Sequence, residues 1–521
     1  MKTFLTLLVS LSLVLSAVTA SYAMGPLAVS ADVIVANVDN TNVGRVCNFT
    51  QTRANTGDNF TYGASSFTGT AGAYADVGSG LNSSSTGVYV TNTGSGPVAL
   101  NLEEHYLPNP SLLPFSVSGG SMNYPWLLGF LFGPGSKAVA LDLTYLNVDN
   151  FNSGMVGNNV LTNSNTGNNI TLGGTSQTGA AVAGSKVTTN LNSNSTGVYV
   201  TDSESGPLAA NMGTYVYDDV LDANYVPMYF GDLAVALDIT NVDVSNFNHG
   251  YVFNNVDTNA NTGYNFTLGA NSGTGGALAG ADVSSTVNRN VTTVAVSETG
   301  VGPMALNSEE NFGVRLNPVF MSGSIAVAGE VNVALVDNTN HGMVLNDVDT
   351  NANSAHNLAF GGSSNTGMAL SYAVVGSNVN SNTTTVGITD TSSPTAMNSD
   401  SQVNTTGGCV PSVGFPCGGS TGGTTAANVG DSGVAVAVDA TIASVTNNNT
   451  GTVVNNVTTE ANTGGNMTKG CGEITCPCDQ PNPTESPAPV VTTTSSTGDA
   501  VASSEVSNTV NTNTTTVVIT K

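Results

Sequence analysis

One eight-residue motif recurs along the chain, and this repetition constrains the fold more than any other feature. The last copy reads Ala-Asn-Thr-Gly-Gly-Asn-Met-Thr over residues 461–468. Each of the five copies carries an asparagine at its second position, and successive asparagines are 110, 96, 92 and 109 residues apart. These motif asparagines are Asn55, Asn165, Asn261, Asn353 and Asn462. Self-similarity at near-constant spacing predicts a repeat architecture.

Aligned on this motif, the chain divides into a short leader and five repeats. The leader covers 1–23, and the repeats cover 24–136, 137–232, 233–324, 325–426 and 427–521. Each repeat opens with alternating apolar and polar residues rich in valine and threonine, as in 138–144, which predicts a β-strand. An asparagine-rich turn is expected next, as in 149–154. The motif itself is a second turn, where asparagine and glycine fit because both tolerate positive φ.

These features predict an all-β fold, a parallel β-solenoid of five imperfect repeats of about 95 residues. Columns of valine and alanine fill its narrow core, and asparagine and threonine rows align along its turns. The second half of each repeat resembles the first, which suggests one coil per roughly 20–25 residues. On that basis the rod has roughly 15–20 coils and is about 70–100 Å long. The alternative is a string of immunoglobulin-like β-sandwiches, although repeats two to five lack tryptophan and no cysteine pair has sandwich spacing.

Insertions interrupt the repeats at one recurring position, after a Gly-Pro segment such as 96–101 or 206–211. Loops inserted at one column of a solenoid project from one face. The insertion in the first repeat holds a candidate partner patch of Tyr124, Trp126, Phe130 and Phe132. This stretch either packs down over the edge of the coil or forms an apolar surface for a partner.

The leader has the composition of a secretory signal peptide. Lys2 precedes an apolar run over 4–18, and small residues suited to cleavage follow. The run is too short to span a bilayer, and no later stretch is apolar enough to do so. We therefore expect a secreted, extracellular or cell-surface protein without a membrane span.

The six cysteines of an exported chain are candidates for disulfides. Cys409 and Cys417 bracket a short loop and predict a local bridge, while Cys471 and Cys476 are further candidates whose connectivity stays open. Cys47 aligns with Gly157 and Phe253 of later repeats, and we expect it to be a small buried apolar residue.

Charge and motif content argue against several function classes. Nine lysines and arginines against 35 aspartates and glutamates give a net charge of −26, which disfavours nucleic acid as a partner. Glycoside hydrolysis needs convergent carboxylates, and the nearest cluster, Asp218, Asp219 and Asp222, falls in an insertion. Turn aspartates such as Asp39 do not reach a calcium ligand count. His249 and His341 share a column and are interpreted as turn fillers. We predict a non-enzyme without a cofactor.

The Asn-Thr-Gly motif and the Thr/Asn/Val-rich repeats resemble repetitive, Asn/Thr/Gly-rich secreted surface proteins of the β-solenoid or adhesin type. The resemblance implies an exported structural or adhesive protein of the cell surface. The final strand at 517–521 leaves backbone groups available for pairing, so we expect end-to-end self-association into a filament or surface layer. Surface glycans or other cell-surface proteins are further expected partners. The alternative is a carbohydrate-active β-helix enzyme or a carbohydrate-binding adhesin.

Overall fold

The computed structural model describes residues 27–107, 136–203, 205–217, 232–269, 271–312, 324–403, 425–429, 433–469 and 493–521. Every regular element in these ranges is a β-strand, and the 25 strands form five sheets of five. Sheet 1 contains β1 (Leu27–Asn55), β6 (Lys137–Asn165), β11 (Leu233–Asn261), β16 (Ser324–Asn353) and β22 (Gly433–Asn462). Sheet 4 contains β4 (Ala71–Asn92), β9 (Ala181–Asp202), β14 (Ala277–Glu298), β19 (Ala369–Asp390) and β25 (Ala500–Thr520).

The other three sheets are built from shorter strands. Sheet 2 contains β2 (Phe60–Tyr62), β7 (Ile170–Leu172), β12 (Phe266–Leu268), β17 (Leu358–Phe360) and β23 (Met467–Lys469). Sheet 3 contains β3 (Ser66–Phe67), β8 (Ser176–Gln177), β13 (Ser272–Gly273), β18 (Ser364–Asn365) and β24 (Ser495–Ser496). Sheet 5 contains β5 (Val98–Leu107), β10 (Leu208–Tyr217), β15 (Met304–Phe312), β20 (Thr395–Val403) and β21 (Thr425–Val429).

Equivalent strands of successive repeats pair in parallel and in register. Asn55 lies beside Asn165, Asn165 beside Asn261, and so on to Asn462. The predicted parallel β-solenoid of five repeats is therefore confirmed. The sandwich alternative is wrong, because the pairing within the sheets is parallel whereas immunoglobulin-like sandwiches are antiparallel.

The predicted size of one coil is wrong. Each turn of the solenoid contributes a single strand to each sheet, and paired residues of sheet 1 are 92 to 110 residues apart rather than about 20–25. We call such a turn a rung: rung 1 comprises β1–β5, and rung 5 comprises β21–β25. Five rungs at about 4.8 Å extend about 20 Å along the stacking axis, not 70–100 Å. The two halves of a repeat are alike because they supply the two long strands that face each other inside one rung.

The core is a thin layer of small apolar columns. Leu146 and Val148 of sheet 1 pack against Val198 and Val200 of sheet 4, and the same contacts recur in the neighbouring rungs. A second layer consists almost entirely of alanine where sheet 1 meets sheet 5. Buried and outward positions alternate along strands such as β11. The prediction of narrow valine and alanine columns is confirmed.

Asparagine rows run through the interior of the fold as well as along its turns. On sheet 1, asparagines of successive rungs donate Nδ2 to the Oδ1 of the next rung at 2.7–3.0 Å. The three ladders begin at Asn40, Asn42 and Asn48 in rung 1. The segment 149–154, predicted as a turn, lies inside β6, and its asparagines belong to two of these ladders.

The motif turn is built as predicted at its asparagine, and positive φ occurs at the fifth motif position, where the last copy has Gly465 with φ 70°, rather than at the fourth-position glycine. Asn165 Oδ1 accepts the backbone N–H of Gly167 at 3.0 Å. Positive φ falls one residue later, at Asn168 with φ 61°. Gly167 is required for a different reason, since a Cβ there would lie 2.0 Å from the carbonyl oxygen of Gly263 in the next rung.

Candidate functional sites: end faces and an interior carboxylate row

The two end rungs leave sheet edges open. Each sheet ends in a rung 1 strand on one side and a rung 5 strand on the other, and no other described strand pairs with those outer edges. Burial falls accordingly: every residue of β25 is exposed, whereas every second residue of its neighbour β19 is largely buried. Unpaired strand edges are templates for pairing with another chain.

The asparagine ladders give these two faces opposite hydrogen-bonding character. In the middle rungs most of these amides donate twice, as Asn150 does to Asn246 and Thr196. At rung 5, Asn447 donates to Thr515 at 3.0 Å, and no described residue follows to take its second N–H. At rung 1, Asn40 Oδ1 has no preceding rung among the described residues to donate to it. The three interior ladders therefore leave Oδ1 acceptors at rung 1 and Nδ2 donors at rung 5, whereas the motif ladder runs in the opposite direction, as from Asn165 Nδ2 to Asn55 Oδ1.

The same residue types occupy the same columns on both faces. Asn40, Asn42 and Asn48 of rung 1 correspond to Asn447, Asn449 and Asn455 of rung 5. The apolar columns also match, since Val38 and Val445 both border the largest core cluster and are only partly buried. When rung 5 of one molecule meets rung 1 of another, each of these asparagine and valine columns thus continues with the same residue type.

A row of carboxylates lies in the interior between sheets 1 and 4. On sheet 1 the register aligns five acids, Asp32, Asp142, Asp238, Glu330 and Asp439. The facing column of sheet 4 holds Asp202, Glu298 and Asp390 in rungs 2 to 4. Six of these carboxylates, those of rungs 2 to 4, are buried to 8% exposure or less.

These acids form two groups whose oxygens approach each other closely. Within Asp142, Asp202 and Asp238, and again within Glu298, Glu330 and Asp390, one oxygen from each residue lies within 4.8 Å of the others. Burial raises the pKa of Glu298, and the charges of Asp238 and Asp390 add to the rise. Burial also raises the pKa of Glu330, with further contributions from its hydrogen bond to Glu298 and from the charge of Glu298.

Polar side chains surround the second group. Asn332 Nδ2 donates to Glu298 Oε2 at 2.7 Å, and Thr240 Oγ1 donates to Glu298 Oε1 at 3.1 Å. Ser392 Oγ contacts Glu330 Oε1 and lies 2.7 Å from Asp390 Oδ1. In rung 5 the arrangement changes, because Lys521 Nζ lies 2.7 Å from Asp439 Oδ1 and forms an ion pair there.

The outer face of sheet 1 carries an apolar depression of about 480 Å³ around Gly157. Met155, Tyr251, Phe253 and Cys47 line it. Cys47 is a free, exposed cysteine, so the prediction that it is buried is wrong. Cys47 occupies an outward-facing position of β1. Apolar residues such as Phe253, which is 48% exposed, lie on the same outer surface.

The remaining predicted residues fall in three classes. The motif asparagines are brought together as a ladder, in which Asn261 Nδ2 donates to Asn165 Oδ1 at 2.9 Å. His249 and His341 are adjacent on the outer face, with ring centroids 6.2 Å apart, and the turn aspartate Asp39 is exposed. Other predicted groups lie outside the described residues: the leader, the acids at 218–222, Tyr124, Trp126, Phe130, Phe132, Cys409, Cys417, Cys471 and Cys476.

The interior acids went unnoticed in the sequence, although a signal was present. An acid recurs in the same column of all five repeats, from Asp32 to Asp439. Its partner column lies 60 residues further along in repeats two to four, and only the fold shows that the two columns face each other.

Comparisons with protein-family models, with curated proteins and with solved structures found no match to this chain. Among the residues that the structure describes, no helix is long and apolar enough to cross a membrane.

Proposed function

We propose that this protein is an exported, non-enzymatic structural protein of the cell surface that assembles head to tail into a filament or surface layer. The observation that carries the proposal is the match between its two end faces. Both present the same asparagine and apolar columns, and in the three interior ladders rung 1 offers acceptors where rung 5 offers donors.

Head-to-tail stacking extends all five sheets at once. The longest new pairing would place β22, of 30 residues, beside β1, of 29 residues, of the next molecule. A contact of this kind uses two different surfaces of the subunit. Such heterologous contacts generate open filaments when the rotation between subunits does not close a ring.

The proposed location rests on the leader and on composition. Residues 1–23 have the pattern of a secretory signal peptide. The resemblance to Asn/Thr/Gly-rich surface proteins points to the same compartment. The buried acids support a non-enzymatic role, because the six in rungs 2 to 4 lie in the interior, where a polymeric substrate has no access.

A second candidate function is a carbohydrate-binding adhesin. The depression around Gly157 favours it, because Tyr251 and Phe253 provide aromatic rings at a concave surface. Binding of glycans that is lost in Phe253→Ala but retained in Val454→Ala would support this role. Val454 is the matched control, since it occupies the same outward column in rung 5.

The assembly proposal is tested by placing a charge on each end face. We expect the purified wild-type chain to form filaments in negative-stain microscopy. Val38→Lys and Val445→Lys put a lysine into the apolar columns of the two faces, and we expect both to abolish filaments because the charge would be buried in the contact. Val43→Lys and Val454→Lys, at outward positions of the same strands, are expected to leave filaments intact.

Circular dichroism establishes that each variant is folded before its assembly is scored. Size-exclusion chromatography showing a wild-type monomer at all concentrations would contradict the proposal. Filaments that survive both Val38→Lys and Val445→Lys would contradict it equally.

A further inference from the structure

We propose that Glu298, Glu330 and Asp390 bind a divalent cation, Ca²⁺, in the interior of the solenoid between sheets 1 and 4. This inference is independent of assembly, since all three residues belong to rungs 3 and 4 rather than to an end face.

The spacing of the oxygens suits one ion. One oxygen from each carboxylate lies within 4.8 Å of the other two. Calcium binds oxygen ligands at about 2.3–2.6 Å, so two ligands on opposite sides of the ion are separated by about 4.8 Å. A single ion placed among the three oxygens therefore reaches all of them.

A buried asparagine beside the acids is incompletely partnered. Asn332 is 1% exposed; its Nδ2 donates to Glu298 Oε2 at 2.7 Å and to Glu330 Oε1 at 3.5 Å, and its Oδ1 has no hydrogen-bond partner. Glu330 Oε2 and Asp390 Oδ2 are likewise buried without a partner. Buried oxygens without partners cost free energy, and a cation satisfies several of them together.

Rung 5 shows how the same row is neutralised elsewhere. Lys521 occupies the column that Asp390 occupies one rung earlier. Its Nζ supplies a positive charge 2.7 Å from Asp439 Oδ1. No lysine or arginine among the described residues forms an ion pair with Glu298, Glu330 or Asp390. A cation from solution would neutralise these three buried carboxylates of like charge.

The donor set selects a hard ion. Carboxylate, hydroxyl and amide oxygens suit calcium, magnesium and manganese, whereas the thiolate and imidazole ligands preferred by softer metals are absent from the described surroundings of the trio. Ser392 and Thr240 add hydroxyl oxygens to those of the three acids. The acids and these hydroxyls thus offer the kind of oxygen ligands that calcium binds.

The experiment measures bound calcium and thermal stability in the full chain. Because the site is buried, wild type is refolded either with 1 mM Ca²⁺ or with EGTA, then desalted. Metal content is determined by mass spectrometry, and the Tm is determined by circular dichroism. We expect calcium to be retained and the Tm to fall by about 5 °C or more after refolding in EGTA, because a ligand of the native state stabilises it.

Glu330→Gln keeps the shape of the side chain and removes its charge. We expect this variant to bind one calcium fewer per chain than wild type and to have nearly the same Tm in calcium and in EGTA. Asp347→Asn, an exposed acid on the outer face of sheet 1, is the matched control and is expected to behave as wild type.

Two outcomes would overturn the proposal. The first is wild type that retains no calcium after refolding with it. The second is Glu330→Gln with unchanged calcium content, or with a Tm above that of wild type in calcium. A Tm of Glu330→Gln above that of wild type would mean that the acids share a proton instead of holding an ion. The Tm of Glu330→Gln is also compared with that of wild type in EGTA. A much lower Tm of the variant there would reveal a general folding defect.

Discussion

At the scale of single residues, asparagine organises the interior of this protein. Asn248 is completely buried, and its amide donates to Asn340 and Asn290 at 2.7 and 2.8 Å. Its Oδ1 accepts from Asn152 and Asn194. One side chain thereby connects three rungs of sheet 1 to sheet 4. Such a network is favourable only when every member is satisfied.

We therefore expect Asn248→Ala to destabilise the protein strongly. The substitution removes four hydrogen bonds and leaves buried partners unsatisfied, at about 1–3 kcal/mol for each group that stays unpaired. The expected loss in the free energy of unfolding is at least about 3 kcal/mol. Asn456→Ala, at an exposed asparagine on β22, is expected to change it by less than about 0.5 kcal/mol. Urea denaturation measures both, and similar losses in the two variants would contradict this account.

The motif glycine provides a second test at this scale. A Cβ at Gly167 would meet the carbonyl oxygen of Gly263 at 2.0 Å, whereas the nearest atom to a Cβ at Gly464 is 3.7 Å away. We expect Gly167→Ala to cost about 1–3 kcal/mol through overpacking. Gly464→Ala, in the same column, is expected to be neutral or stabilising by up to about 1 kcal/mol. The Tm of each variant is compared with that of wild type. A loss in Gly167→Ala alone would show that the contact with Gly263 requires glycine, whereas equal losses would show that the column needs glycine for another reason.

At the scale of strands, the sequence predicted the parallel solenoid of five repeats but not which strands pair. The likeness of the two halves of a repeat suggested coils of about 20–25 residues, whereas equivalent strands of successive repeats are the ones that pair. The run 149–154 was interpreted as a turn because asparagine and glycine favour turns locally. Inside β6 that preference is overridden by the ladder bonds of Asn150 and Asn152, which exist only after rungs have stacked. The carboxylate row was missed for the same reason, since its two columns meet only in the folded rung.

Stacking in register also places like charges side by side. Asp257 lies beside Asp349 on the outer face of sheet 1. Partial burial raises the pKa of Asp257, and the charge of Asp349 raises it further. A carboxyl whose pKa is raised in the folded state binds its proton more tightly there than in the unfolded chain. Its ionisation therefore lowers stability as the pH rises above its ordinary value of 3.8.

We expect Asp257→Asn to stabilise the protein at pH 7, where the carboxylate of the wild type is ionised. The gain is about 0.5 kcal/mol or less at low salt, because the pair is partly solvated. Near pH 4 the difference from wild type should shrink. Urea denaturation at the two pH values measures it, with the exposed Asp499→Asn as control. A gain that is equal at both pH values would show that charge is not its cause.

At the scale of the whole molecule, the five described rungs make a short stack whose two end faces have matching columns. Continued growth by a second copy would place Lys521 and Asp439 of one molecule against Asn92 and Asp32 of the next, because these residues occupy the same two columns. The lysine would then lie beside carboxylates from both subunits. Opposite charges across a contact favour one partner orientation over others.

Lys521→Glu reverses this charge, and we expect it to raise the protein concentration needed for filament formation at least about tenfold, since like charges brought together at an interface cost several kcal/mol. The folded monomer should be destabilised only modestly, because the lysine is 47% exposed, although its partner Asp439 is 17% exposed. Lys186→Glu, on the exposed face of β9, is the control and should leave assembly unchanged. Sedimentation across a concentration series measures both variants. If Lys521→Glu assembled at the wild-type concentration, the contact would have to use surfaces other than the faces of rungs 1 and 5.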